Sequence, residues 1–206
     1  MEREDVEVTT RQQWRNWLEE HAGSSPGCWA VTWRKGSGQP IVTYEELVEE
    51  VLCVGWVDSR GRKVDAARTA LLMTPRAAGS GWSRPNKERV ARLEAAGLMR
   101  PAGAAAVASA RHDGSWSLLD AVEDLREPPE LAAALNAEPA TRVTWDAFPR
   151  SAKRGILEWI VQAKLEKTRD ARIAETVARA RVGVRANQWR PKAAEAGRLA
   201  RSRRPR

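Results

Sequence analysis

The hydrophobic residues of the first fifty positions change from a helical spacing to a strand spacing and back again. Trp14, Trp17 and Leu18 lie three and four positions apart, which predicts a helix. Residues 28–34 instead alternate with a period of two, which predicts a strand. Residues 43–46 read Thr-Tyr-Glu-Glu, a capping box that begins a second helix. The pattern therefore places one strand between two helices.

Later segments change the spacing once more. The short β-branched segment 54–58 precedes a polar turn at 59–63, and a further strand within 69–74 would pair with it as a hairpin. Beyond this hairpin the spacing is helical, and a short helix is expected to begin at Ser117. The other expected helices lie at 83–97, 101–112, 129–135, 140–148, 151–165 and 168–181.

These elements predict an α+β fold. We expect a small antiparallel sheet with flanking helices in about residues 10–82, followed by a helical C-terminal half in about residues 83–182. Both parts are expected to belong to a single domain, residues 1–189, because a chain of this length typically forms one domain. The remaining residues, 190–206, differ from this domain in composition.

Net charge is distributed unevenly along the chain. The formal net charge is +8, and residues 190–206 carry +6 of it. A short basic terminus of this kind is typically disordered and makes weak, salt-sensitive contact with nucleic acid. The rest of the chain is close to neutral, so the overall charge says little about a binding site within the folded part.

Several classes of protein and site are excluded by composition. The two cysteines, Cys28 and Cys53, cannot form a disulfide-rich scaffold or a cysteine-based zinc site. The two histidines exclude a histidine-rich metal site, and nothing in the sequence predicts a cofactor. No uncharged apolar run reaches the length of about 18 residues that a membrane span requires. The chain begins without an apolar signal-peptide segment, so we expect a cytoplasmic location.

The residues best suited to bind a ligand are concentrated between positions 53 and 99. By the period of two, Trp56 and Asp58 point to the same face of a strand. Arginines and a second tryptophan follow in a polar, glycine-rich segment that leads to a helix N-terminus, where anions are favoured. We expect a pocket that stacks a planar molecule on tryptophan and pairs its anionic part with arginine. Its candidate residues are Trp56, Asp58, Arg60, Arg68, Arg76, Ser80, Trp82, Ser83 and Asn86.

Three stretches of sequence resemble one known family. Residues 52–58 read LCVGWVD, residues 74–103 begin TPR and end PAG, and residues 156–173 contain ILEWI followed by AK and TR. Together they make the chain resemble the YdeI/OmpD-associated family, also called the bacteriocin-protection family, over roughly residues 10–182. Val54 stands where this family usually has Phe, and the basic tail lies outside the family pattern.

The resemblance implies an association with protection from bacteriocins or cationic antimicrobial peptides and with an outer-membrane porin. It implies no particular reaction and no catalytic residues. The resemblance therefore predicts only a broad role in stress resistance or self-resistance.

Three functional hypotheses follow from these residues. The first is a non-catalytic protein that binds a small planar or anionic molecule in the tryptophan and arginine pocket. The second is an enzyme that uses Asp58 with His21 or Cys53 for acid/base or nucleophilic chemistry. The third is a nucleic-acid-binding protein that uses arginine-rich helices and the basic tail. Asp58 could instead form a structural ion pair with Arg68 or Arg76. Of the three hypotheses, we favour the first.

Overall fold

The computed structural model describes residues 3–187 of the chain. The chain divides into two compact units, residues 1–120 and 121–206. The first unit contains a β-sheet and helices, and the described part of the second unit contains helices. The prediction of a disordered basic tail concerns residues 190–206, which lie outside the described residues.

The first unit is built on a four-stranded sheet. Its strands are β1 (Asp5–Glu7), β2 (Cys28–Trp33), β3 (Trp56–Lys63) and β4 (Arg68–Pro75), in the spatial order β1-β2-β4-β3. The β2–β4 and β3–β4 pairs are antiparallel, which confirms the predicted hairpin, whereas β1 pairs with β2 in parallel. The α+β fold class is confirmed, and the parallel pairing of the short β1 with β2 makes the sheet mixed.

The predicted polar turn at residues 59–63 is wrong, because this segment continues β3. Its backbone pairs with β4 after a register shift between Asp58 and Gly61. The chain turns between Lys63 and Arg68 instead. Arg60 and Arg62 remain exposed, but their guanidinium groups lie over the ring of Trp29, and this contact accompanies the extended backbone of a polar sequence.

The helices of the first unit begin largely where their capping signals predict. They are α1 (Arg11–His21), α2 (Tyr44–Cys53), α3 (Arg84–Ala95), α4 (Pro101–Asp113) and α5 (Asp120–Glu123), whose last three residues belong to the second unit. The Thr10 side chain accepts the Gln13 N–H, and Thr43 forms a complete capping box with Glu46. The local sequence is therefore sufficient to start α1 and α2.

The described part of the second unit is helical, as predicted. Its helices are α6 (Pro129–Asn136), α7 (Pro139–Asp146), α8 (Arg150–Val161) and α9 (Glu166–Arg181). The predicted inward residues Ile156 and Ile160 of α8 are fully buried, and Ile173 and Val177 of α9 are also buried. The helical periodicity thus identified the packed faces correctly.

Helix α2 lies between two hydrophobic clusters of the first unit. Val51 belongs to the sheet cluster, which contains residues of α1, α2 and the strands. Leu52, the next residue, belongs to the helix cluster, which contains residues of α2, α3 and α4. Trp56 lies in the sheet cluster and Trp82 lies in the helix cluster, so the two tryptophans occupy separate regions of the core.

A buried carboxylate on α2 fixes α1 in place. Glu50 is only 2% exposed and accepts hydrogen bonds from Arg11 Nε at 2.5 Å and from Arg15 Nε at 2.8 Å. Burial disfavours the charged carboxylate, but the hydrogen bonds from Arg15 and Arg11 outweigh this effect and lower the pKa of Glu50. Glu50 is therefore an ionised link between the two helices.

A close backbone approach joins α4 to the end of α2. A Cβ atom at Gly103 would lie 2.1 Å from the Cys53 carbonyl oxygen, so no larger residue fits without a backbone shift. The Arg100 N–H donates to the same carbonyl oxygen at 2.9 Å. Glycine at position 103 therefore permits the packing of the helix cluster.

We expect Gly103→Ala to lower the free energy of unfolding by about 1–3 kcal/mol, because the added methyl group meets backbone atoms. Gly155→Ala is the matched control, since a Cβ at Gly155 of α8 would have no neighbour within 4 Å. This control should stabilise by up to about 1 kcal/mol through helix propensity. Urea unfolding of both variants checks the prediction, and equal responses would contradict it.

We expect Glu50→Gln to destabilise the protein at neutral pH by about 2 kcal/mol, because two arginines lose a charged acceptor. Since folding lowers the pKa of Glu50, its contribution is present above the ordinary value of 4.5 and is lost as the pH falls through the folded-state pKa. Thermal unfolding from pH 7 to pH 3 should therefore show wild type and variant converging in acid. A constant difference between the two would show that Glu50 is not ionised in the fold.

Candidate functional site

The predicted pocket residues do not gather into one site. Trp56 is only 2% exposed, and its indole Nε1–H donates to the Ala22 carbonyl oxygen at 3.2 Å. Its ring meets Trp17 edge to face at a centroid distance of 6.3 Å. Trp56 is therefore a packed core residue and presents no free ring face to a ligand in this structure.

Asp58 is held by a tyrosine rather than by an arginine. Its carboxylate accepts the Tyr44 hydroxyl at 2.9 Å. Burial, followed by the hydrogen bond to Asp58, raises the pKa of Tyr44 to about 12. Among the described residues Asp58 forms no ion pair with Arg68 or Arg76, so the structural ion pair that the sequence left open does not form.

Arg60 and Arg68 lie over tryptophans of β2. The Arg60 guanidinium is 5.7 Å from the ring centroid of Trp29, and that of Arg68 is 5.5 Å from the ring centroid of Trp33. Arg68 also pairs with Glu7 and Asp65. Neither arginine lines a cavity with Trp82.

Three of the predicted residues do come together, at Arg76, Ser80 and Trp82. They line a cavity of about 130 Å³ between the segment after β4 and the C-terminal part of α4. The Arg76 guanidinium carbon lies 3.7 Å from the centroid of Trp82, which is itself 1% exposed. Arg76 Nη1 donates to the Gly81 carbonyl oxygen at 3.2 Å and makes a longer contact of 3.4 Å with Ser80 Oγ. We call this site the Arg76 cavity.

The charge of Arg76 is not balanced by an ion pair within the described part of the chain. The residue forms no ion pair there, and its Nε is buried without a hydrogen-bond partner. Burial lowers the pKa of Arg76 to about 10, and the opposing effect of the Asp58 charge is smaller. The guanidinium therefore remains charged at neutral pH although it is largely removed from water.

Ser115 adds a buried hydroxyl to the Arg76 cavity. The residue is 6% exposed and its Oγ is buried, and the side chain and the backbone N–H of Ser115 both lower the pKa of Asp113. Its backbone N–H donates to Asp113, which lies at the exposed rim of the same cavity. A cationic fork and a serine hydroxyl thus border one small space, and both groups are hydrogen-bond donors.

Ser83 and Asn86, the remaining predicted residues, lie outside the Arg76 cavity. Ser83 occupies the N-cap position of α3 without a side-chain capping bond. Asn86 is buried, and its side-chain oxygen accepts a hydrogen bond from Arg89 at 2.8 Å. Both residues therefore belong to the first turn of α3 and do not border the Arg76 cavity.

The candidate acid/base and nucleophilic residues are also separate. His21 stacks on Trp17 at a centroid distance of 4.7 Å, with its Nδ1 2.9 Å from the Trp17 carbonyl oxygen. Cys53 is buried, and burial raises the pKa of its thiol to about 11, so the thiol is protonated at neutral pH. No hydrogen bond joins Asp58, His21 and Cys53 within residues 3–187.

The described residues offer neither a metal-binding cluster nor a membrane-spanning helix. Residues 3–187 contain no group of three or more His, Cys, Asp or Glu side chains that could hold a metal ion. No helix within this range combines the length and the apolar character needed to cross a membrane.

Sequence reasoning missed Ser115 and a second, larger cavity. Ser115 lies more than thirty positions from Trp82, and its surroundings, Asp-Gly-Ser-Trp-Ser, suggest only a helix end. The larger cavity, of about 470 Å³, lies between the sheet and the start of α2. Gly61 inside a strand, where side chains normally pack, was the available signal for it.

Two family models match different parts of the chain. Residues 124–183 match the model described as Bacteriocin-protection, YdeI or OmpD-Associated. The predicted resemblance is therefore confirmed over that part of the chain, which includes the motif at 156–173. Residues 6–106 match a separate model, a domain of unknown function (DUF8412), and this match contains the motifs at 52–58 and 74–103. No curated protein and no solved structure matches the chain.

We expect Arg76→Met to leave the free energy of unfolding unchanged or to raise it, because methionine fills similar space without an unpaired buried charge. Arg15→Met is the control, since Arg15 is paired with buried Glu50. This control should lose about 2 kcal/mol. Urea unfolding without added oxyanions measures both, and an equal loss in Arg76→Met would mean that Arg76 serves the fold alone.

Proposed function

We propose that this protein is a non-catalytic binding protein that holds a small anion, or the anionic group of a larger planar molecule, in the Arg76 cavity. The observation that carries the proposal is the guanidinium of Arg76, which is partly buried, stays charged and forms no ion pair with a carboxylate among the described residues. A buried charge without a partner is costly to a fold, and an anionic ligand would offset this cost.

The chemistry of the cavity favours an oxyanion. An arginine fork matches the geometry of carboxylate, phosphate and sulfate groups, and the Ser115 hydroxyl can donate a further hydrogen bond. The Ser80 hydroxyl already donates to the Ala77 carbonyl oxygen at 2.6 Å. The volume of about 130 Å³ corresponds to about four water molecules, enough for a single such group. Asp113 is exposed at the rim, where water weakens its repulsion of an anion.

Trp82 supports a fixed position for the cation. The indole lies against the Arg76 guanidinium, and Trp116 packs against the indole at a centroid distance of 5.1 Å. Stacking keeps the fork in one orientation before a ligand arrives, which reduces the entropic cost of binding. Trp82 thus positions Arg76 rather than offering an open face of its own.

A role in stress resistance or self-resistance is part of the proposal. Its support is the family matched by residues 124–183, whose description names bacteriocin protection. In this proposal the anion-binding site belongs to the first unit, and the matched segment belongs to the second unit.

The alternative functions receive less support. An enzyme with Cys53 as nucleophile is disfavoured by the raised pKa of its thiol. Binding of nucleic acid through the folded part is disfavoured because most described arginines already pair with carboxylates, as Arg68, Arg89 and Arg142 do. These paired cations are not free to contact phosphates.

We expect sulfate and phosphate to stabilise the wild-type protein with a saturable dose response at constant ionic strength. At a concentration of about one hundred times the Kd, a bound anion would contribute about 2.7 kcal/mol. Arg76→Met should remove the saturable component, because it removes the cation. Differential scanning fluorimetry with chloride as the balancing anion provides the measurement.

Arg111→Met is the matched control for this titration. Arg111 also lies over a tryptophan, 4.9 Å from the centroid of Trp116, but it is paired with Glu94 and half exposed. It should keep the wild-type response. Sulfate also stabilises proteins generally by exclusion from their surfaces, so a response that is equal in wild type and Arg76→Met would refute the proposed function.

A further inference from the structure

We propose that the larger cavity, between the sheet and the start of α2, is a second binding site for molecules with an apolar body and one anionic group. Its volume of about 470 Å³ lies within the range of about 300–1,000 Å³ that is typical of small-molecule sites. We call it the Gly61 cavity. It shares no lining residue with the Arg76 cavity, so the two sites can be tested separately.

The floor of the Gly61 cavity is formed by adjacent positions on three strands. Thr32 of β2 pairs with Thr69 of β4, and Thr69 pairs in turn with Lys63 of β3. Further along the sheet, Leu71 of β4 lies opposite Gly61 of β3. The floor therefore combines an apolar side chain, two hydroxyls and an ammonium group on one face of the sheet.

Apolar residues form the opposite wall of this open cavity. Val42, before α2, and Leu47, within it, are both buried and line the cavity. Tyr44 stands at the start of the helix, where the hydrogen bond from its hydroxyl to Asp58 orients the ring. These residues provide an apolar surface for the body of a ligand.

The charges around the Gly61 cavity have one sign. No carboxylate is among the described residues that line it. Arg34 and Lys63 form no ion pair and no side-chain hydrogen bond with any residue of the described range 3–187. Arg62 also borders the cavity, but its guanidinium is engaged with Asp5 and lies over Trp29. Two unpaired cations of this range therefore remain available to an anionic group.

Gly61 leaves space that another residue could fill. Its φ is not in the left-handed region, and a Cβ built there would meet only the Ala70 carbonyl oxygen, at an ordinary distance of 3.7 Å. Neither backbone conformation nor close packing therefore requires glycine at this position. Glycine weakens a strand, and here it keeps the floor of the cavity open.

The probe for this site is 8-anilinonaphthalene-1-sulfonate, which joins aromatic rings to one sulfonate and fluoresces when it leaves water. We expect saturable binding to the wild-type protein. Gly61→Val should weaken this binding at least about tenfold, because its side chain occupies the cavity and suits a strand. Thermal unfolding of the variant verifies that the fold is retained.

Charge variants test the second feature of the site. The double variant Arg34→Gln with Lys63→Gln should weaken binding about fivefold, since two exposed cations are removed. Lys35→Gln is the matched control, because Lys35 is the neighbour of Arg34 but does not line the cavity. Decanoate should displace the probe at lower concentration than decanol, which lacks the charge.

If Gly61→Val binds the probe as tightly as wild type, the inference is overturned. The same holds if the double variant and Lys35→Gln lose equal affinity for the probe. The result is separable from the function proposed for Arg76. Arg76→Met should leave probe binding intact, and Gly61→Val should leave the sulfate response intact. If the probe instead depends on Arg76 and not on Gly61, the Arg76 cavity gains support and the Gly61 cavity loses its proposed role.

Discussion

The packing of α2 on two sides is the constraint that organises the first unit. Val51 faces the sheet cluster, while Leu52 faces α3 and α4. Glu50, on the same helix, binds the arginines of α1, and Gly103 lets α4 approach the end of α2. Because α2 lies between the two clusters, Trp56 and Trp82 do not form one pocket.

Local signals predicted the helices and strands that have their own caps or alternation. The capping residues at Thr10 and Thr43 are both confirmed, and the hairpin of β3 and β4 is confirmed. The strand β1 was missed because its three residues gain their structure from pairing with β2. Residues 59–63 were assigned to a turn because the stacking of arginine on a distant tryptophan leaves no local sequence pattern.

The candidate site could be predicted only where its residues are close in sequence. Arg76, Ser80 and Trp82 lie within seven positions of one another, and the structure brings them together. Trp56 was grouped with them because it also stands in polar company, but it packs with Trp17 in the other cluster. Ser115 reaches the cavity through the packing of α4, which no short-range pattern reveals.

Arginines lie over tryptophans at several places in the first unit, and these arginines differ in burial and in ion pairing. Arg60 has no ion pair among the described residues, but it is exposed to water. Arg62, Arg68 and Arg111 each lie over an indole and also pair with a carboxylate, so their charges are balanced within the fold. Arg76 is the closest of these to its ring, and its charge is not balanced by an ion pair among the described residues. Stacking alone therefore does not indicate a site, whereas stacking with an uncompensated buried charge does.

A direct test is the ¹H–¹⁵N resonance of the Arg76 Nε–H group, assigned by its absence from Arg76→Met and followed during sulfate addition at constant ionic strength. If Arg76 binds the anion, this resonance shifts with a saturable dependence on sulfate while the Nε–H resonance of Arg111 does not. If the Arg76 resonance stays in place, or if both resonances drift together without saturation, the central claim of anion binding at Arg76 is contradicted.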